Sequence, residues 1–205
     1  MDSFENLFNR WQCSNKEYKD RFVVDGIIDV QRWGTNRKIL FILKETNDFP
    51  DDLRCWLRKN GPKYRIWHNV SRWAYGLKKT DQNSFPTFPE IYENLKDALL
   101  SSAVINLKKT PGKERSNIKE IKKYADSDFE FLHEEFKLIN PEVVVCGGTF
   151  SIIKELFEIN SHSINNDGKI YFANGRFFID YWHPAARYRS ESMYNDLCSL
   201  FKRCL

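Results

Sequence analysis

His183 is the side chain in this sequence best placed for chemistry. It stands in YWHPAARYR, at the end of a β-rich run, with Pro184 behind it and Arg187 and Arg189 further on. An imidazole can donate a hydrogen bond to an anion forming on a leaving group. A lone histidine is also a common structural residue, and what sets His183 apart is its company. Asn106 lies near the end of the apolar run AVINL. Its amide offers a donor and an acceptor, enough to read the edge of a nucleobase at two points. The alternative is a hydrogen bond to a neighbouring loop. Glu45, Asn47 and Asp48 follow the run KILFIL within KETNDF. A carboxylate there could orient a water or support developing positive charge, whereas Asn and Asp are also ordinary turn residues.

Two further segments could hold phosphate. Lys108, Lys109, Lys113 and Arg115 surround the turn Thr110-Pro111-Gly112. Such a loop suits a nucleic-acid backbone, and it reads equally as a solvated charge run. Gly147-Gly148 precedes a helical pattern and could leave amides free for a phosphate. A tight strand-to-helix turn is the simpler reading. His68, beside Trp67, reads as packing or surface, and His133 and His162 stand in no constellation.

The elements that position these residues follow from periodicity. KILFIL, AVINL and VVVC (residues 143–146) are short unbroken apolar runs, as expected of strands covered on both faces. Helical spacing joins Phe4, Leu7, Phe8 and Trp11 behind Ser3 as N-cap. Residues 51–100 are helix-rich, through Leu53, Trp56 and Leu57, then Ile66, Val70, Trp73 and Leu77, then a start at Phe88-Pro89. Its aromatics Trp56, Trp67, Trp73 and Tyr75 read as core. Ser116 can cap a helix through Ile118 and Ile121, and another runs through Phe129, Leu132, Phe136 and Ile139 to Pro141. KIYFANGRFFIDYW is two β-rich runs around Asn174-Gly175, a strong hairpin signal. A last helix begins near Ser190. Strands alternating with helices predict a three-layer α/β/α fold with a central, mostly parallel four-stranded sheet. In such sheets the ligand site lies beyond the carboxyl ends of the strands. That is where Lys44 to Phe49, Lys108 to Arg115, Gly147 to Ser151 and His183 to Arg189 all fall.

Composition bounds the rest. The 205 residues carry 32 Lys and Arg against 28 Asp and Glu, a net charge of +4, with 41% hydrophobic and 29% charged residues. That is too apolar for a disordered chain and too charged for a membrane protein. A single domain over residues 1–205 is expected, with 1–37 as an N-terminal helix and irregular extension. The N-terminus has neither the basic start nor the apolar core of a signal peptide, so a cytoplasmic location follows by default. Five scattered cysteines with no C-x-x-C read as free thiols, with no structural zinc.

In the order of its pieces the chain resembles the uracil-DNA glycosylase superfamily, especially its iron–sulfur branch. KILFILKETND resembles that branch's strand and water-activating loop, and AVINLKKTPGKERSN its strand, asparagine and basic loop. INPEVVVCGGTFS is similar to its Asn-Pro, strand and Gly turn, and YWHPAARYR to its His-Pro motif. The resemblance spans roughly residues 38–200. It implies a four-stranded parallel sheet between helices and hydrolysis of the N-glycosidic bond of uracil or a modified base flipped from DNA. It also implies that Asn106 reads the base, His183 stabilises charge on the departing base, Lys44 to Phe49 hold the water and Phe49 stacks on the base. Glu45, Asn47, Asp48 and His183 would then be the catalytic set. Lys108, Lys109, Lys113, Arg115, Gly147, Gly148, Arg187 and Arg189 would contact the backbone. Departures are equally plain. The branch's cluster cysteines are absent, with Lys108 or Lys109 at the position in the basic loop, so no iron–sulfur cluster, metal or other cofactor is expected. In the first motif Lys44 replaces a Gly and only Glu45 aligns cleanly. The expected partner is DNA, single-stranded forms included, with no membrane, and a monomer is favoured. Two alternatives stand beside the glycosylase reading. One is a catalytically silent nucleic-acid or nucleotide binder on the same fold; the other is a hydrolase of free nucleosides or nucleotides.

Overall fold

The computed structural model describes residues 3–165 and 167–205. Its centre is four parallel strands. β2 (Ile39–Leu43), β3 (Ala103–Asn106), β4 (Val143–Gly147) and β6 (Arg176–Tyr181) lie side by side in the order β3-β2-β4-β6. The sheet has six strands, not the four expected. β1 (Gly26–Ile27) adds antiparallel to β3, and β5 (Ile170–Ala173) adds antiparallel to β6. β5 follows from the hairpin, where Asn174 and Gly175 have φ of 52° and 73°, the paired positive values a two-residue turn of this kind requires. β1 is only two residues long and lies within FVVDGIID (residues 22–29), which reads as a short extended piece inside an otherwise polar and irregular segment.

Residues along the strands alternate between two cores. Phe41, Leu43, Val104, Val145 and Ile179 face one side; Leu40, Ile42, Ile105, Val144 and Phe178 face the other. Both sides are covered, which is why the runs carry no polar alternation. On the first side lie α2 (Leu53–Asn60), α3 (Arg65–Lys79), α4 (Leu95–Leu100) and α8 (Ser190–Lys202). Trp67 and Trp73 are buried there, with Trp56 and Tyr75 packed against them. On the other side lie α1 (Phe4–Ser14), α5 (Ile118–Ser127), α6 (Phe129–Ile139) and α7 (Phe150–Leu156). The result is three layers, α/β/α.

Local chemistry sets the helix ends. The Ser3 side chain accepts from the Asn6 amide, closing the first turn of α1. Asn117, rather than Ser116, caps α5 by accepting from Lys119. The segment Phe88–Asn94 before α4 is 3-10 helix, opened by a capping box between Thr87 and Glu90. Among the described residues no helix is long and apolar enough to cross a membrane.

α3 crosses α8 at Gly76, where an added methyl would overlap Cys198 Sγ and the Tyr194 ring. Alanine is normally better than glycine inside a helix. Here Gly76→Ala is expected to destabilise the protein by about 1–3 kcal/mol through overpacking. Urea unfolding would show a lowered midpoint at unchanged slope; a raised midpoint would mean that α8 yields.

Candidate active site

The chain after β2 and the chain after β3 form one unit. The ladder continues beyond the strands, Leu107 N–H to Leu43 O and Lys108 N–H to Lys44 O, both at 3.0 Å. It is closed by Gly112 N–H to Thr46 O at 2.8 Å and Asp48 N–H to Gly112 O at 3.3 Å. The Glu45 carboxylate sits directly against Gly112, where any Cβ would overlap it. It accepts from Lys108 Nζ at 2.8 Å, and Lys108 also donates to Glu120 at 2.7 Å. Burial disfavours the Lys108 charge, but the two carboxylates outweigh it and raise its pKa.

Beneath this unit lies a buried polar cluster. Lys109 Nζ donates to Asp25 and, at 2.8 Å, to Glu135, and all three side chains have 0% exposure. The ammonium also faces the Trp11 ring, 4.8 Å from its centroid. Asp25 Oδ2 accepts from the Asn106 backbone N–H at 2.8 Å and from Asn106 Nδ2 at 3.0 Å. There are two carboxyl groups for one ammonium. Burial, opposed by Lys109 and reinforced by Asp25, holds the Glu135 carboxyl above the usual carboxylate range.

These contacts bear on four expectations. Asn106 is 2% exposed and its Nδ2 donates to Asp25, toward the buried cluster rather than an open site. Lys109 is wholly inside and touches no backbone phosphate. The Lys108 side chain, 7% exposed, is consumed by Glu45 and Glu120. The Glu45 carboxylate is correspondingly tied to Lys108 rather than held open toward a water.

The open part of this end lies over β4 and β6, beside the point where the order of strands reverses. A cleft of about 450 Å³ is lined by Lys44, Gly148, Lys169, Asp180, Trp182 and His183, among others. Burial, then the charge of Lys44, lowers the His183 pKa to about 4, so the ring is neutral near pH 7. His183 Nδ1 accepts from the Ala185 N–H at 3.2 Å. The ring proton therefore belongs on Nε2, which is left as a donor. Burial also raises the Asp180 pKa, against the opposing charge of Lys169. The His-Pro loop is held from α3. Asn69 Nδ2 donates to Pro184 O at 2.8 Å, and the Arg65 guanidinium donates to Ala186 O at 3.1 Å and to Tyr188 O.

The two glycines are corrected as phosphate donors. Gly148 takes φ +68° and its N–H is used by Cys146 O and Tyr181 O, both at 2.8 Å. Gly147 is buried in β4, and a Cβ there would lie 2.7 Å from Leu43 Cδ2 and 3.1 Å from Pro184 Cδ. Gly147 lets the His-Pro loop pack closely, and Gly148 supplies the left-handed backbone of the turn. Phe49, expected to stack on a base, is half-buried against the core and edge-on to Trp56, outside the cleft lining. The exposed aromatic in the lining is Trp182, 47% exposed and 4.9 Å from the Tyr188 ring. Asn47, Asp48, Lys113, Arg115, Arg187 and Arg189 lie exposed on the loops at this end.

Sequence reasoning missed Asp25, Arg65, Asn69, Glu135, Asp180 and Trp182. One signal was present. Glu135 shares the helical stripe of Leu132, Phe136 and Ile139, a face where a carboxylate needs a partner. Among the described residues no group of three or more His, Cys, Asp or Glu could hold a metal ion. Comparison with protein-family models and with curated proteins gives no match to this chain.

The cluster makes two predictions. Lys109→Met strands buried carboxylates and should cost about 3–5 kcal/mol in urea unfolding. Because the Glu135 pKa is raised in the folded state, its stabilisation is complete below the ordinary carboxylate value and fades as pH rises through the raised one. Between about pH 5 and about pH 8 the native protein should lose stability relative to Glu135→Gln. Parallel curves for the two proteins would show that Glu135 does not carry the proton.

Proposed function

We propose that the protein is a glycosylase-like hydrolase that cleaves the N-glycosidic bond of uracil or a modified base in DNA, single-stranded forms included. The observation that carries this reading is His183. It is a neutral imidazole whose Nδ1 is occupied by a backbone amide, leaving one Nε2–H donor in a cleft at the carboxyl ends of parallel strands. A neutral donor suits a leaving base, because it stabilises the anion without having to give up a proton. Trp182 is the face on which the base stacks, with Lys44 and Lys169 supplying positive charge beside it. The exposed Lys113, Arg115, Arg187 and Arg189 serve the phosphates. The order of motifs along the chain supports the same reading. The cytosol is the compartment it implies, and the five cysteines, all free, fit a reducing one.

A second reading is favoured by one observation. Glu45 and Asn106, the residues expected to activate water and read the base, are both engaged in internal pairs. A nucleic-acid or nucleotide binder without turnover would be built this way.

Single-turnover excision against uracil, xanthine, hypoxanthine and alkylated bases, in single and double strands, separates the two. Under the first reading His183→Ala loses about 10²- to 10³-fold in rate, with little change in affinity. The rate carries no step near pH 6.5, because His183 does not titrate until about pH 4. Trp182→Ala weakens binding by about 1–3 kcal/mol. Binding without excision of any base selects the second reading.

A further inference from the structure

Two short stretches of the chain share a pattern that the cleft alone does not use. Lys63-Tyr64-Arg65 and Arg187-Tyr188-Arg189 each set a tyrosine between two cations. They are far apart in sequence, and the fold joins them. Arg65, at the start of α3, donates to Tyr188 O and, at 3.1 Å, to Ala186 O. Both tyrosine rings stay outside, Tyr64 at 55% and Tyr188 at 53% exposure. Each is backed by a second aromatic that holds it in place. Tyr64 lies parallel to Trp56, with 5.6 Å between centroids and 6° between planes, and Phe49 meets Trp56 edge-on. Tyr188 lies 4.9 Å from Trp182, which lines the cleft together with His183. An aromatic strip therefore runs from the cleft outward across the start of α3. Its charge is one-sided. From Leu53 to Thr80 the chain carries eight Lys and Arg and no Asp or Glu. The Lys63 ammonium stands 6.0 Å from the Tyr64 centroid. Lys63 and Arg187 are exposed and make no ion pair among the described residues, and Arg189 meets Glu191 only at 3.7 Å.

We propose that this strip binds single-stranded nucleic acid, with one unpaired base stacked on Tyr64, another on Tyr188, and the phosphates beside them on Lys63 and Arg187. The inference rests on the reading of the adjacent cleft as a nucleic-acid site, with or without turnover, and it names the form of the nucleic acid. A base stacks on an aromatic ring only when its own face is open. A duplex hides those faces between neighbouring pairs, so it uses the cations and leaves the tyrosines idle. An acidic peptide likewise meets the cations without filling the ring faces. Every base has a π-face, so stacking sets strandedness and not sequence. Rings already held by Trp56 and Trp182 lose little freedom on binding, which favours them as platforms. Trp182 belongs to both strip and cleft, and so connects the flanking bases to the one inside.

The test is fluorescence anisotropy of the full-length protein with labelled oligothymidylate and with a hairpin duplex of equal charge, at one fixed salt concentration. The single strand should bind about tenfold tighter than the duplex. Tyr64→Ala and Tyr188→Ala should each weaken single-strand binding about tenfold and leave duplex binding unchanged. Tyr64→Phe and Tyr188→Phe, which keep the ring, should bind as the native protein does. Lys63→Gln should weaken both forms and lower the salt slope by about one. Arg65 takes the Tyr188 carbonyl and not its ring, so the loop anchor survives these substitutions; circular dichroism melting checks the fold. Duplex binding as tight as single-strand binding overturns the proposal. So do alanine variants that bind single strands normally or lose both forms equally, and so does displacement of the oligonucleotide by poly-glutamate at equal charge. Excision is followed separately on the same oligonucleotides carrying uracil. Strand-selective binding without excision removes the glycosylase reaction and leaves this inference standing. Excision with no preference for single strands and no effect of either tyrosine does the reverse.

Discussion

One buried ammonium organises the carboxyl end of the sheet. Removing a lysine from water costs several kcal/mol even after relaxation, so Lys109 can be inside only if the fold brings it partners. Those partners come from three separate parts of the chain. Asp25 comes from beside β1, Glu135 from α6 and the Trp11 ring from α1. The backbone adds Val23 N–H to Lys109 O at 2.7 Å. The N-terminal segment is therefore bound to the sheet edge, where Asp25 immediately precedes β1. Asp25 also takes both N–H groups of Asn106, so the same charge decides where that amide points.

The consequence for the site is a division of labour along one sheet end. Over β2 and β3 the loops are zipped together and their charges are paired internally, Glu45 with Lys108 and Asp25 with Lys109. Paired and dehydrated groups of this kind resist change. Over β4 and β6 the surface opens, and there Lys44, Asp180 and His183 meet with less complete pairing. A rigid closed half beside an open half gives the cleft a fixed wall. The position of the His-Pro loop is determined from the opposite layer, because Arg65 and Asn69 of α3 hold its carbonyls. Arg65 and Asn69 are four residues apart on one helix face, so both reach the same loop.

His183 shows how packing sets chemistry. The imidazole titrates far below its ordinary value because it is buried beside the Lys44 charge. The Ala185 amide then fixes which nitrogen carries the proton. Burial, a neighbouring lysine and a turn together convert a histidine that would switch near neutral pH into a constant donor.

The sequence by itself determined the layers, the parallel strands and the end of the sheet at which the post-strand loops gather. Ile39–Leu43, Ala103–Asn106, Val143–Gly147 and Arg176–Tyr181 are legible because an apolar run or a hairpin turn is local information, carried by neighbours along the chain. The location of His183 in a post-strand loop is legible for the same reason. Only the tertiary structure decided which polar residues are available. Asn106 and Lys109 look alike in sequence whether they face a ligand or a buried carboxylate, and the carboxylate that claims them lies 81 and 84 residues away. Phe49 looks like a stacking residue until it packs beside Trp56. Periodicity tells which face a side chain takes on its own element. The partner that meets it there is set by long-range packing, which no spacing along the chain encodes.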